Sequence, residues 1–80
     1  MGKNEIYEKL NEVFRDVFDD ESITLSENTT ANDIEDWDSL MHITLISEIE
    51  DSFDIKFAMK DVIGMKNIGD MAEIIGRELA

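Results

Sequence analysis

The stretch D-W-D-S-L-M-H-I, residues 36–43, decides how this chain is read. A single hydroxyl, Ser39, stands between an acid-flanked tryptophan and a run of apolar residues. After it, Leu40, Ile43, Ile46, Ile49 and Phe53 recur at spacings of three and four, with Leu45 beside them. That periodicity predicts an amphipathic helix over 39–53. Ser39 then falls at its N-cap, where a side-chain oxygen contributes about 1 kcal/mol. The same helix start suits an anion, so a phosphate attached to Ser39 would be received there.

Before this stretch, Ile6, Leu10, Val13, Phe14, Val17 and Phe18 lie on one helical face between Glu5 and Asp20. Asp19, Asp20, Glu21 and Ser22 end that helix. The following segment, I-T-L-S-E-N-T-T-A-N-D-I-E-D-W-D, carries scattered apolar positions at Ile23, Leu25, Ile34 and Trp37. It reads as a long loop pinned to the core at these points, a feature that is usually functional when ordered. Beyond Phe53, the alternation of Phe53, Ile55 and Phe57 has no second strand to pair with and reads as a core-plugging link. A short helical turn over Met59 to Ile63 stops near Gly64. Asn67 caps a last helix through Ile68, Met71, Ile75 and Leu79, with Asp70 in its first turn. The expected fold is all-α: a small four-helix bundle of three longer helices and one short one, a single domain over residues 1–80.

Composition narrows function. The chain has 80 residues, 20 acids, 7 bases and a formal charge of −13, which argues against nucleic acid and favours basic protein surfaces. Between Arg15 and Lys56, 40 residues hold 13 acids and no Lys or Arg, and Ser39 lies within them. Acids on a small domain also serve plain solubility. No Cys is present, so disulfides, thiolate nucleophiles and Cys-based zinc sites are excluded. No apolar run approaches the roughly 18 residues of a membrane span, and the first residues lack a signal core. A monomer in the cytoplasm is the expectation.

Two chemistries fail on spacing. Asp38, Ser39 and the sole histidine, His42, are too close in sequence for a triad whose base is oriented from a separate element. A calcium loop begun at Asp33 meets Trp37 at its fifth position and Asp38 where glycine is required; one begun at Asp19 meets Thr24. No metal site is expected. Ile43, Ile46, Ile49, Phe53, Phe57, Met59, Ile63 and Ile75 read first as core; as a lesser alternative the same residues would line a cavity opened for an acyl chain.

Taken together, the acidic domain, the anchored loop, D-S-L opening a helix, L-I-S-E-I-E-D-S-F-D-I within it and N-I-G-D-M-A-E-I-I after it resemble an acyl carrier protein over residues 6–79. The resemblance implies that Ser39 carries 4′-phosphopantetheine, transferred from coenzyme A by a magnesium-using phosphopantetheinyl transferase, with Asp38 assisting. It implies a thiol-bearing arm that presents acyl thioesters to synthases and acyltransferases with basic docking surfaces, in fatty-acid, polyketide or related lipid biosynthesis. It places the partner surface on Leu40, Met41, Thr44, Ser47, Glu48, Glu50, Asp51 and Asp54. Met41 and Thr44 stand where fatty-acid carriers commonly have acids, and Lys60 reduces the charge of the third helix, departures that set against a primary fatty-acid role and leave open a dedicated carrier for another pathway. Peptidyl carriers usually show G-G-x-S, where this chain has Asp36 and Trp37. The rival readings are an aminoacyl or D-alanyl carrier and an acidic interaction module without a prosthetic group. The Met1 start suggests a freestanding protein.

Overall fold

The computed structural model describes residues 2–79 and is built from helices and loops. α1 spans Lys3–Val17, a 3₁₀ turn Ala31–Asp33, α2 Ser39–Phe53, α3 Met59–Gly64 and α4 Ile68–Leu79. The expected bundle of three longer helices and one short one is therefore present. α1 packs against both α2 and α4. Ile6, Leu10, Val13 and Phe14 of α1 meet Leu45, Ile46, Ile49 and Phe53 of α2 and Ile68, Met71, Ala72 and Ile75 of α4 in one buried core.

α1 stops three residues short of the span read from periodicity. Phe18 is its C-cap, donating its N–H to the Phe14 carbonyl at 3.0 Å, and Asp19 turns the chain out with φ 52°. The Phe18 ring nevertheless stays against Phe14, with centroids 5.9 Å apart. Its apolar spacing therefore reported packing rather than helix. At the end of α2, Asp54 takes a left-handed conformation (φ 55°), and the Ile55 N–H closes on the Glu50 carbonyl at 3.1 Å. Ile55 is buried and Phe57 packs against the core, so the 54–57 link plugs the bundle as expected.

The long loop is ordered by four attachments. The Asn11 side chain accepts from the Leu25 N–H at 2.8 Å, and Arg15 donates to the Ile23 carbonyl at 2.7 Å. Ile23 and Leu25 themselves are buried. Farther along, the Ile68 and Gly69 N–H groups donate to the Thr29 and Glu27 carbonyls, both at 2.9 Å. These bonds satisfy first-turn donors of α4 that would otherwise be unpaired. A Cβ at Gly69 would lie 2.9 Å from the Glu27 carbonyl oxygen, so this close approach requires glycine.

Three residues expected in the core or an acyl cavity are on the surface instead: Ile43 is 69% exposed, Met59 74% and Ile63 77%. Helix geometry explains the first. Each residue turns by about 100°, so a series in steps of three drifts by about 60° per step, and Leu40 ends on the side opposite Ile49. The inward face is Leu45, Ile46, Ile49 and Phe53, with Ile43 turned away from it. In α3, only six residues long, Val62 takes the inward position beside Ile63.

Candidate functional site

Ser39 is the first helical residue of α2, not its cap. The cap is Asp38, whose side-chain oxygen accepts from the Met41 N–H at 2.8 Å while its carbonyl receives the His42 N–H at 2.9 Å. Asp38 and Ser39 are both exposed. Asp is an effective N-cap and its charge complements the helix dipole. Because Asp38 satisfies the helix end, the Ser39 hydroxyl is free of that duty. Asp38→Ala should cost about 1 kcal/mol, within the 0.5–2 range for lost caps, whereas Asp38→Asn should recover most of it. Urea denaturation of the three proteins measures both values.

The turn before the cap is set by Asp36, which adopts φ 72°, a left-handed conformation that Asp tolerates better than most side chains. It directs Trp37 inward. The indole meets Phe14 edge-on at 5.3 Å and Phe18 at 6.3 Å, so α1 holds the residues just ahead of Ser39. On its other side Trp37 stacks on His42, centroids 5.8 Å apart and planes 25° from parallel. The indole N–H donates to His42 Nδ1 at 3.1 Å.

His42 is half-buried, and that burial lowers its pKa from the ordinary value of about 6.5. The folded protein therefore binds fewer protons than the unfolded chain across a window just below that value. Stability contributed by neutral His42 is fully present above about pH 6.5 and is lost as pH falls through the depressed folded value. Urea midpoints at pH 7.5 and 5.5 should show the acid sample less stable, with the difference reduced in His42→Phe.

A cleft of about 390 Å³ opens beside Ser39. Trp37, Asp38, Ser39 and His42 form one side of its lining, Met65, Lys66, Asn67 and Met71 the other, with Ala31 from the 3₁₀ turn. None of the residues expected to line an acyl cavity reaches it. Ile46, Ile49, Phe53 and Ile75 are buried in the packed core, Phe57 is half-buried, and Ile43, Met59 and Ile63 face solvent. The residues missed from sequence, Met65 and Lys66 above all, sit in the link between α3 and α4. Only the tertiary fold brings that link to the start of α2, so no local pattern marked it.

The α2 surface that follows Ser39 carries little charge, whereas Glu35, Asp36 and Asp38 just before it are exposed acids. Residues 39–47, S-L-M-H-I-T-L-I-S, contain no Asp, Glu, Lys or Arg. Leu40 is 73% exposed, and with Ile43, Met59 and Ile63 it completes the set of large exposed apolar side chains among the described residues. Thr44 and Ser47 are exposed and Met41 half-exposed. Glu48, Asp51 and Asp54 are exposed at the far end of α2, but Glu50 is half-buried, where its carboxylate accepts from the Phe57 N–H at 2.8 Å. Glu50 thus secures the link after α2 rather than standing free.

A family model described as a phosphopantetheine attachment site matches residues 8–75. The chain belongs to the acyl carrier protein family. Its prosthetic group is a covalently attached phosphopantetheine, and this acyl carrier protein is a carrier rather than a catalyst. Acyl carrier proteins of Streptococcus pyogenes serotypes M3 and M1 are each 33% identical over 70 residues, covering 88% of this chain and 90% of theirs. The solution structure of a holo acyl carrier protein from Geobacter metallireducens superposes with a TM-score of 0.86. It is 45% identical and the match covers 91% of this chain and 84% of that one. No helix among the described residues is long and apolar enough to cross a membrane, and no group of three or more His, Cys, Asp or Glu among them is placed to hold a metal ion.

Proposed function

We propose that Ser39 is the attachment point of 4′-phosphopantetheine and that this chain shuttles acyl thioesters between enzymes in the cytoplasm. The observation that carries the reading is an exposed serine hydroxyl, relieved of capping by Asp38, at the mouth of a cleft of about 390 Å³. Attachment exchanges the Ser39 O–H for an O–P bond, with the adenosine bisphosphate part of coenzyme A as leaving group. The thiol of the attached arm supplies the thioester chemistry that a chain without cysteine lacks. Asp38 stands beside the hydroxyl and assists the transferase in positioning it. Incubation with a broad-specificity phosphopantetheinyl transferase, coenzyme A and magnesium should add one phosphopantetheine by intact mass. An unmodified mass after full turnover of a control carrier would overturn the reading.

The surface flanking Ser39 supports contact with synthases and acyltransferases through an apolar centre, Leu40 and Ile43, with Met41, Thr44 and Ser47 around it. The acids Glu48, Asp51 and Asp54 form a distal rim for basic partner residues. Glu50 has a smaller part in that rim, being engaged with Phe57. Charges at such a rim tune association rate and salt dependence more than affinity. Leu40→Ala should lower kcat/KM for a cognate partner about tenfold or more, the effect of losing about 1.5–3 kcal/mol of buried apolar side chain. The fold should be unchanged, because the side chain is exposed in the free protein. The absence of charge over residues 39–47 favours a dedicated carrier, for a polyketide or related lipid, over one serving primary fatty-acid synthesis. Comparing loading rates by the two kinds of acyltransferase checks that assignment.

A further inference from the structure

Between Ile34 and Met41 every side chain is exposed except that of Trp37. The backbone there is tightly turned: the Asp38 N–H donates to the Asp36 carbonyl two residues back at 3.1 Å, and the Trp37 N–H to the Ile34 carbonyl at 3.4 Å. Such turns bury little apolar surface, so the indole is what ties this segment to the body of the protein. Phe14 and Phe18 of α1 hold it on one side. On the other, the His42 ring stacks on it and accepts its N–H through Nδ1 at 3.1 Å. Trp37 precedes Ser39 and His42 follows it, so this contact spans Ser39. The bond from the His42 N–H to the Asp38 carbonyl, at 2.9 Å, closes the same short loop. Neither the cap of α2 nor the buried core uses the His42 ring.

We propose that Trp37 and His42 are positioning residues for phosphopantetheine transfer, an indole–imidazole brace that holds the turn on both sides of Ser39 and presents its hydroxyl in one orientation. The proposal rests on the reading of Ser39 as the attachment point. Transfer forms a bond from Ser39 Oγ to phosphorus, breaks the bond from phosphorus to the adenosine bisphosphate of coenzyme A, and releases the hydroxyl proton to solvent. A displacement of this kind is sensitive to small misplacement of the attacking oxygen. An exposed turn without a brace populates several orientations, of which the transferase accepts one. The apparent KM for the carrier then rises by the inverse of the competent fraction, whereas kcat is unchanged because the bound complex is the same. One neutral hydrogen bond supports a change of about two- to tenfold.

The test follows loading of the full chain by a broad-specificity transferase with coenzyme A and magnesium, read as intact mass against time. His42→Phe keeps a ring on Trp37 and removes the acceptor; Trp37→Phe keeps an aromatic ring against Phe14 and removes the donor. Each should raise the KM for the carrier about two- to tenfold and leave kcat within about twofold. The double variant should be no worse than either single one, since both break the same bond. His42→Asn sets an amide oxygen where Nδ1 stands, two bonds from Cβ, and should recover most of the loss. Ile6→Val, a core change in the first turn of α1, weakens the fold yet leaves nearly all molecules folded, and its KM should match the parent. Exchange of the Met41 and His42 amide hydrogens, both bonded to Asp38, should quicken in the two aromatic variants and not in Ile6→Val. An unchanged KM in both Trp37→Phe and His42→Phe, or an equal rise in Ile6→Val, would overturn the proposal and leave Ser39 as the attachment point. A parent protein that never loads would remove the reading of Ser39 as well.

Discussion

Ser39→Ala is expected to abolish loading with phosphopantetheine while leaving folding stability within about 0.5 kcal/mol of the parent. The two halves of this result have separate causes. Loading requires the hydroxyl oxygen, and alanine has none. Folding does not require it, because the helix cap is Asp38 and position 39 is an exposed first-turn site where alanine is a good helix former. The variant therefore separates chemistry from structure in a way that a serine at the cap would not permit. Intact mass after transferase treatment reads the first half and urea denaturation the second. A stability loss near 1–2 kcal/mol would mean that Ser39 shares the cap, and a persisting adduct would place the attachment elsewhere.

Phe14→Ala should be the most damaging single truncation in the molecule, costing about 3–5 kcal/mol. Phe14 is the largest of the fully buried side chains. It touches both Phe18 and Trp37, so its loss removes core packing and the aromatic support of the turn ahead of Ser39. At roughly 0.05–0.15 kcal/mol per residue, 80 residues supply only about 4–12 kcal/mol, so a loss of this size consumes much of the total. The variant should be largely unfolded at 37 °C by circular dichroism. Fluorescence of the single tryptophan should shift to the red as Trp37 becomes wet. A stable variant with unchanged fluorescence would show that Trp37 is held by its His42 contact alone.

Much of the architecture was legible because helix periodicity and capping chemistry are local. The extent of α2, the short α3, the Asn67 cap and the loop anchors Ile23 and Leu25 all follow from residues a few positions apart. Legibility failed where the third dimension decides. Ile43 belongs to the same three-residue series as Ile46 and Ile49, yet the drift of that series carries it to the surface. Ser39 and Asp38 are both good caps, and the sequence pattern does not say which of two adjacent oxygens takes the role. Glu50 has the sequence position of a free acid, and only the fold brings its carboxylate to the Phe57 N–H. The cleft is the furthest from sequence, since Lys66 and Asn67 meet His42 only through the packing of the whole bundle.

That α2 begins with nine uncharged residues changes how the acidity is to be understood. The charge of −13 lies before and after that stretch, with Asp33, Glu35, Asp36 and Asp38 ahead of Ser39, while Leu40, Ile43, Met59 and Ile63 are exposed apolar side chains. On the proposed reading, the acids steer a basic partner and the exposed apolar side chains are what it grips on arrival.

The proposed attachment point, Ser39, is one serine of five, the others being Ser22, Ser26, Ser47 and Ser52. Peptide mapping of the enzymatically loaded protein by fragmentation mass spectrometry tests it most directly. A single phosphopantetheine is expected on the peptide containing Ser39, with the peptides of the other four unmodified. A single adduct on any other serine, or full loading that leaves the Ser39 peptide unmodified, would contradict it.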